Sequence, residues 1–268
     1  MNFQATRLTL VTSVTLFAAS ALAHPAIRDQ RTRIDLDDRS VEGWIDAPKS
    51  EGPHPFLVIA ADSEGTAKDP DYKKLANAAV ADGWVTLRLD WSYKKAKGAP
   101  SADAKKEAEE LGAVVGSMIG SRMMKQFEID PAKTALVAKG FGAKVAMVPD
   151  SDGMSDKIKA ALLLNPVCES AEGSFAKTYA PFLAAKTPRM IVAAKDGSCA
   201  LPQVYAAAKD FGDSVSLYTY APEGADAVLP AVNGWIRSLG WSTKPVLARK
   251  KPDAKKHAHD AQTAGTHP

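Results

Sequence analysis

The stretch Thr134-Ala135-Leu136-Val137-Ala138-Lys139-Gly140-Phe141-Gly142-Ala143 compresses three pieces of structure into one passage. Thr134 to Ala138 is an apolar run of strand length, Gly140 and Gly142 mark a tight corner, and the chain after Gly142 takes a helical composition. A strand that enters a glycine corner and leaves as a helix is the repeating unit of doubly wound α/β sheets. Its corner lies at the carboxyl end of the strand, where such sheets bind their ligands.

Working outward, the same rhythm recurs on both sides. Upstream, Phe56 to Ala61 is a solid apolar run, the pattern of a strand covered on both faces. Leu75, Ala78 and Ala79 give Asp71 to Ala81 a helical spacing, and Gly83 closes that helix before the strand Trp84 to Leu89. Asp103 to Gln126 reads as one long helix. Downstream, Lys159 to Leu164, Met190 to Ala194 and Val215 to Tyr220 read as strands, with helices over Pro202 to Phe211 and Asp226 to Leu239. Before all of these, Thr32 to Asp37 and Val41 to Asp46 alternate in polarity and read as an antiparallel pair. Strands alternating with helices predict an α/β chain with a doubly wound, mainly parallel sheet and helices on both faces.

The two ends carry different signals. Arg7 precedes an apolar run from Leu8 to Leu22, and Ala21-Leu22-Ala23 fits the small-residue cleavage pattern of a secretory signal. The run is short for a bilayer span and has no basic flank after it, so residues 1–23 are read as a signal peptide rather than an anchor. A domain over 24–243 follows, with no membrane span in the mature chain, and a periplasmic or secreted location is expected. Residues 244–268 are Lys-, Ala- and Pro-rich and lack apolar periodicity, which predicts a basic, disordered tail. Its His257, His259 and His267 are read as part of a solubilising tail and not as a metal site.

The whole chain is +3; without Arg7 and the tail's six basic and two acidic residues, the body is near −2. That balance is ordinary for a soluble domain, and no basic face argues for nucleic acid. Two cysteines, Cys168 and Cys199, each follow a predicted strand. With no Cys-x-x-Cys and no nearby His, the pair reads as one disulfide rather than two free thiols or a metal site.

The order of elements from Pro53 to Leu239 resembles the α/β-hydrolase family, especially its dienelactone-hydrolase-like and small-esterase branches. Phe56 to Gly65 is similar to the third strand and oxyanion loop, Leu75 to Asp90 to the next helix and strand, and Ala135 to Ala143 to the nucleophile elbow. Ile191 to Asp196 is similar to the strand bearing the triad acid, and Pro222 to Leu229 to the loop bearing the triad histidine. The resemblance implies a serine-type ester hydrolase, which needs a nucleophile, a base, an orienting acid and N–H donors for an oxyanion.

Only part of that set is present. Gly140 stands at the nucleophile's position, Ala227 at the base's, and Asp196 keeps the acid's. The oxyanion loop reads Ala61-Asp62-Ser63-Glu64-Gly65, with carboxylates where a developing oxyanion needs donors. The expectation is therefore a degenerate triad and a pseudoenzyme that serves as a binding or structural module. Its partner would be a small molecule or an envelope protein, and no cofactor or metal is implied.

The alternative is an active esterase or dienelactone-type hydrolase using a displaced nucleophile such as Ser63. Asp62, Glu64, Asp90 and Asp196 all fall at strand ends and have two readings: a joint site for a cation or amine, or separate acceptors of backbone N–H bonds, the reading favoured here. Lys139 either supplies a positive charge to the same crevice or faces solvent. Phe141 follows the corner and completes the candidate crevice, while Trp91 and Tyr93 either line a pocket or pack.

Overall fold

A computed structural model describes residues 26–36, 40–63, 65–91, 104–120, 122–146, 154–168, 174–184, 186–210, 215–221 and 228–242. Eight strands form one sheet. They are β1 (Ile27–Asp35), β2 (Ser40–Ala47), β3 (His54–Ala60), β4 (Val85–Asp90), β5 (Ile129–Lys139), β6 (Ala160–Leu164), β7 (Arg189–Ala194) and β8 (Val215–Tyr220). The helices are α1 (Pro70–Ala81), α2 (Ala104–Gly120), α3 (Arg122–Gln126), α4 (Phe141–Val145), α5 (Met154–Lys157), α6 (Ser174–Ala184), α7 (Leu201–Asp210) and α8 (Val228–Ser238).

The strand order is β1-β2-β4-β3-β5-β6-β7-β8. β1 and β2 pair antiparallel, as do β2 and β4, and every later pairing is parallel. The expected α/β sheet is therefore present, with its antiparallel pair at one edge. The chain leaves β3 in one direction to reach β4, then returns across it to lay down β5 on the other side. The reversal makes the carboxyl ends of β3 and β5 the switch point of the sheet, the natural crevice of this architecture.

Strand alternation divides the core in two. Phe56, Val58, Ala60, Leu136 and Ala138 belong to one cluster, with Val114 and Val115 of α2. Leu57, Ile59, Ala135 and Val137 belong to the other, beneath Leu75 of α1 and Val232, Trp235 and Ile236 of α8. Both faces are covered, so residues 56–60 of β3 and 135–138 of β5 read as unbroken apolar runs instead of alternating ones. At the lower end of β3, buried His54 places Nδ1 2.9 Å from the Gly83 carbonyl and Nε2 2.9 Å from the Ser50 carbonyl. It ties the strand to the turns beneath the sheet.

Two helix expectations need correction. The single long helix is two helices, and residue 121 between them lies outside the described set. α6 was not anticipated, because Pro181 sits inside it and costs it one backbone hydrogen bond. Its buried Phe175, Tyr179 and Leu183 nonetheless repeat every four residues and hold it on the core.

Cys168, just after β6, and Cys199, just after the neighbouring β7, are joined with their Cα atoms 4.9 Å apart. The bridge closes a loop with a sequence separation of 31. On loop entropy it is worth about 3–4 kcal/mol. The paired Cys168→Ser, Cys199→Ser chain is expected to lose roughly that much in urea unfolding, while wild type measured in excess reductant falls to the same curve. Coincident curves for oxidised and reduced wild type would show that the bridge contributes nothing.

Candidate functional site

At the end of β5 the backbone turns at Gly140 with φ 54° and ψ −116°. This is a region that residues with a Cβ enter only under strain. The turn is held by the Gly140 N–H, which donates to the Leu164 carbonyl at 2.9 Å, and by the Gly140 carbonyl, which accepts from Ala143 N–H at 3.1 Å. α4 is then pressed so close to the end of β3 that a Cβ on Gly142 would come within 2.7 Å of the Ala61 carbonyl oxygen. Residues 134–143 thus form a sharp strand-turn-helix corner at the switch point.

What stands above the corner is Asp62. Ala60 of β3 lies in register with Ala138 of β5, so Asp62 and Gly140, each two residues further on, arrive at the same level. A Cβ built on Gly140 would lie 2.2–2.4 Å from the three atoms of the Asp62 carboxylate. Asp62 Oδ1 accepts from the Phe141 N–H at 3.0 Å and from the Ser63 N–H at 2.7 Å, with Ser63 Oγ 3.4 Å away. The N–H after the corner is the donor that a hydrolase elbow offers to an oxyanion. Here a resident carboxylate takes it. Sequence reasoning counted Asp62 as a charge that repels an oxyanion; the structure puts that charge on the Phe141 N–H itself.

The other candidates are spread around this point. Asp90 Oδ1 accepts the Ala67 N–H at 2.8 Å and braces the loop between β3 and α1. Asp196 follows β7 as expected but is exposed, with no hydrogen-bond or ion-pair partner among the described residues. Among the described residues no three His, Cys, Asp or Glu side chains converge as a metal site. Glu64, Tyr93, Ala227 and the histidines at 24, 257, 259 and 267 lie outside the described residues. His54 belongs to the opposite end of β3, roughly 20 Å from the corner on strand geometry. Trp91 is fully buried, donates from Nε1 to the Ala61 carbonyl at 2.9 Å and meets Phe141 edge-on at 6.3 Å. It packs the corner from below.

Lys139 turns toward α1, with Nζ 5.8 Å from the centre of the Tyr72 ring. Tyr72 itself accepts the Asp62 N–H at its hydroxyl, 3.2 Å away. Burial pushes its phenol up to about 12, so the ring stays neutral at physiological pH. Tyr72 escaped the sequence reading, although its spacing of three from Leu75 places it on the same buried face of α1.

No protein-family model matches the chain, and no curated protein resembles it in sequence. Solved structures do resemble it in fold. A homologue of α/β serine hydrolases from Coxiella burnetii superposes with a TM-score of 0.60 at 18% identity, over 80% of this chain and 98% of that one. Thermogutta terrifontis esterase 2, phosphoramylated by tabun, gives 0.62 at 14% identity, over 84% and 97%. A Xanthomonas campestris serine hydrolase without a lid gives 0.58 at 14% identity, over 81% and 97%. Together with the strand order and the corner after β5, these likenesses establish that the chain is built on the α/β-hydrolase fold.

Proposed function

We propose that this chain is an exported α/β-hydrolase-fold protein that does not hydrolyse esters and acts as a binding or structural module, for a small molecule or an envelope protein. The observation that supports this reading is the Asp62 carboxylate, which fills the space above Gly140 and takes the Phe141 N–H. Acyl transfer requires a nucleophile whose proton passes to a base, and an empty pocket of donors for the oxyanion. Gly140 offers no nucleophile, Ala227 stands where the base belongs, and the donor is already occupied. The disulfide fits an oxidising compartment.

The test is hydrolysis of p-nitrophenyl acetate and butyrate by the purified chain. The expected rate is that of buffer alone, unchanged by Asp196→Ala. Turnover that falls in Asp196→Ala would overturn the proposal.

One contact favours a second reading: Ser63 Oγ stands 3.4 Å from Asp62 Oδ1, and the fold neighbours include esterases. If Ser63 were the nucleophile of a serine-type hydrolase, a fluorophosphonate probe would label it. No labelled serine is expected, because a carboxylate neighbour without an imidazole is a poor base for a hydroxyl at neutral pH.

A further inference from the structure

On the α1 side of β5, the ends of β5, β6 and β8 border a cavity of about 530 Å³, flanked by α1 and α8. That volume lies within the range of small-molecule sites. Leu75, Val137, Leu164, Val228 and Val232 give it an apolar wall. Among the described residues its charged lining is Asp71, Lys74 and Lys139. Asp71 and Lys74 pair with each other at 3.6 Å, which leaves the Lys139 ammonium with only the Tyr72 ring beside it among the described residues. An ammonium over an aromatic face keeps its N–H donors for another acceptor.

A second donor is fixed by Asn165, which follows β6 with φ 47°. Its Oδ1 accepts the Ala194 N–H at 3.1 Å, which settles which end of the amide is oxygen. Its Nδ2 then donates to the Tyr220 hydroxyl at 2.6 Å. Because Tyr220 Oη is the acceptor in that bond, its own O–H hydrogen is left to donate. Tyr220 lines the same cavity as Lys139.

We infer that this cavity binds a small organic carboxylate, its head group on Lys139 Nζ and the Tyr220 hydroxyl and its hydrocarbon body against the wall of Leu75, Val137 and Val232. The cation selects a negative charge, the O–H selects an acceptor oxygen, and the apolar wall selects a hydrocarbon chain over an inorganic anion. The inference rests on the binding-module reading for its purpose and supplies that reading with a ligand class.

Titration calorimetry on the full chain with octanoate, against neutral octanamide of the same chain length, tests it. Octanoate is expected to bind at least about tenfold more tightly than octanamide. Lys139→Met is expected to erase that preference, octanoate then binding no more tightly than octanamide. Tyr220→Phe, which removes a single oxygen, is expected to weaken octanoate about fivefold. Equal binding of the two compounds, absence of octanoate heat up to millimolar concentration, or a preference that survives Lys139→Met would overturn the inference. Ester hydrolysis measured on the same samples keeps the two readings apart. Turnover with intact octanoate binding removes the non-catalytic reading alone, and loss of octanoate binding without turnover removes the cavity assignment alone.

Discussion

Gly140→Ser is expected to destabilise the chain by about 3–5 kcal/mol in urea unfolding, and Asp62→Gly in the same chain is expected to restore part of the loss. Two costs add at this position. The backbone at φ 54°, ψ −116° is strained for any residue with a Cβ, at about 1–3 kcal/mol. The new Cβ also falls 2.2–2.4 Å from the Asp62 carboxylate, and overpacking of that kind costs about 1–3 kcal/mol more. Removing the carboxylate relieves the second cost and leaves the first.

A double-mutant cycle therefore separates the two, with an expected coupling of about 1–3 kcal/mol between positions 62 and 140. Additive effects would mean that Asp62 does not occupy the space above the corner. On the proposed non-catalytic reading neither variant is expected to gain ester hydrolysis, because a new serine alone supplies no histidine to take its proton. A gain of turnover in the double variant would place a base elsewhere in the chain.

The architecture was legible in the sequence because the central strands are buried on both faces, and a strand of that kind is written as an uninterrupted apolar run. Residues 56–60 of β3, 135–138 of β5, the whole of β6 and residues 190–194 of β7 have this form. The glycine corner after β5 was legible for the same reason, since it is local to one strand. The occupant of the corner was not. Asp62 reaches Gly140 only because β3 and β5 are neighbours in a given register, and no local pattern states which strands adjoin. The polar positions of β4 also carry an ambiguous signal. Thr86 and Arg88 alternate with Val85, Leu87 and Leu89, which reads as one face in water, yet both are buried. Alternation shows that two faces differ, but not what covers the second one.

Arg88→Met is expected to cost about 3–5 kcal/mol, and much of the loss is expected to return in Arg88→Met, Asp46→Leu. Arg88 is 1% exposed. Its Nη2 meets Asp46 Oδ2 at 3.0 Å and Asp29 Oδ1 at 2.6 Å, and its Nη1 donates to the Ala67 carbonyl at 2.8 Å. One side chain thus ties β4 to β2, to the edge strand β1 and to the loop that carries Asp62 toward α1. Met preserves the volume but leaves Asp46, whose side chain is 4% exposed, as a charge out of water without its cation.

The second substitution removes that charge, so recovery identifies uncompensated burial, rather than lost packing, as the source of the cost. A loss below about 1 kcal/mol in Arg88→Met would show that the buried pair does not organise this edge. Acid unfolding gives an independent readout. Asp29 is held below the ordinary 3.8 first by its hydrogen bond from Lys73 and then by Arg88. A carboxyl whose folded value is depressed contributes stability above its unfolded value and loses it as pH falls through the folded one. Arg88→Met removes one of the two cations, so the folded value rises toward 3.8 and this contribution shrinks. The stability gap between wild type and Arg88→Met is expected to be full above 3.8 and to narrow as pH falls through the folded value of wild-type Asp29.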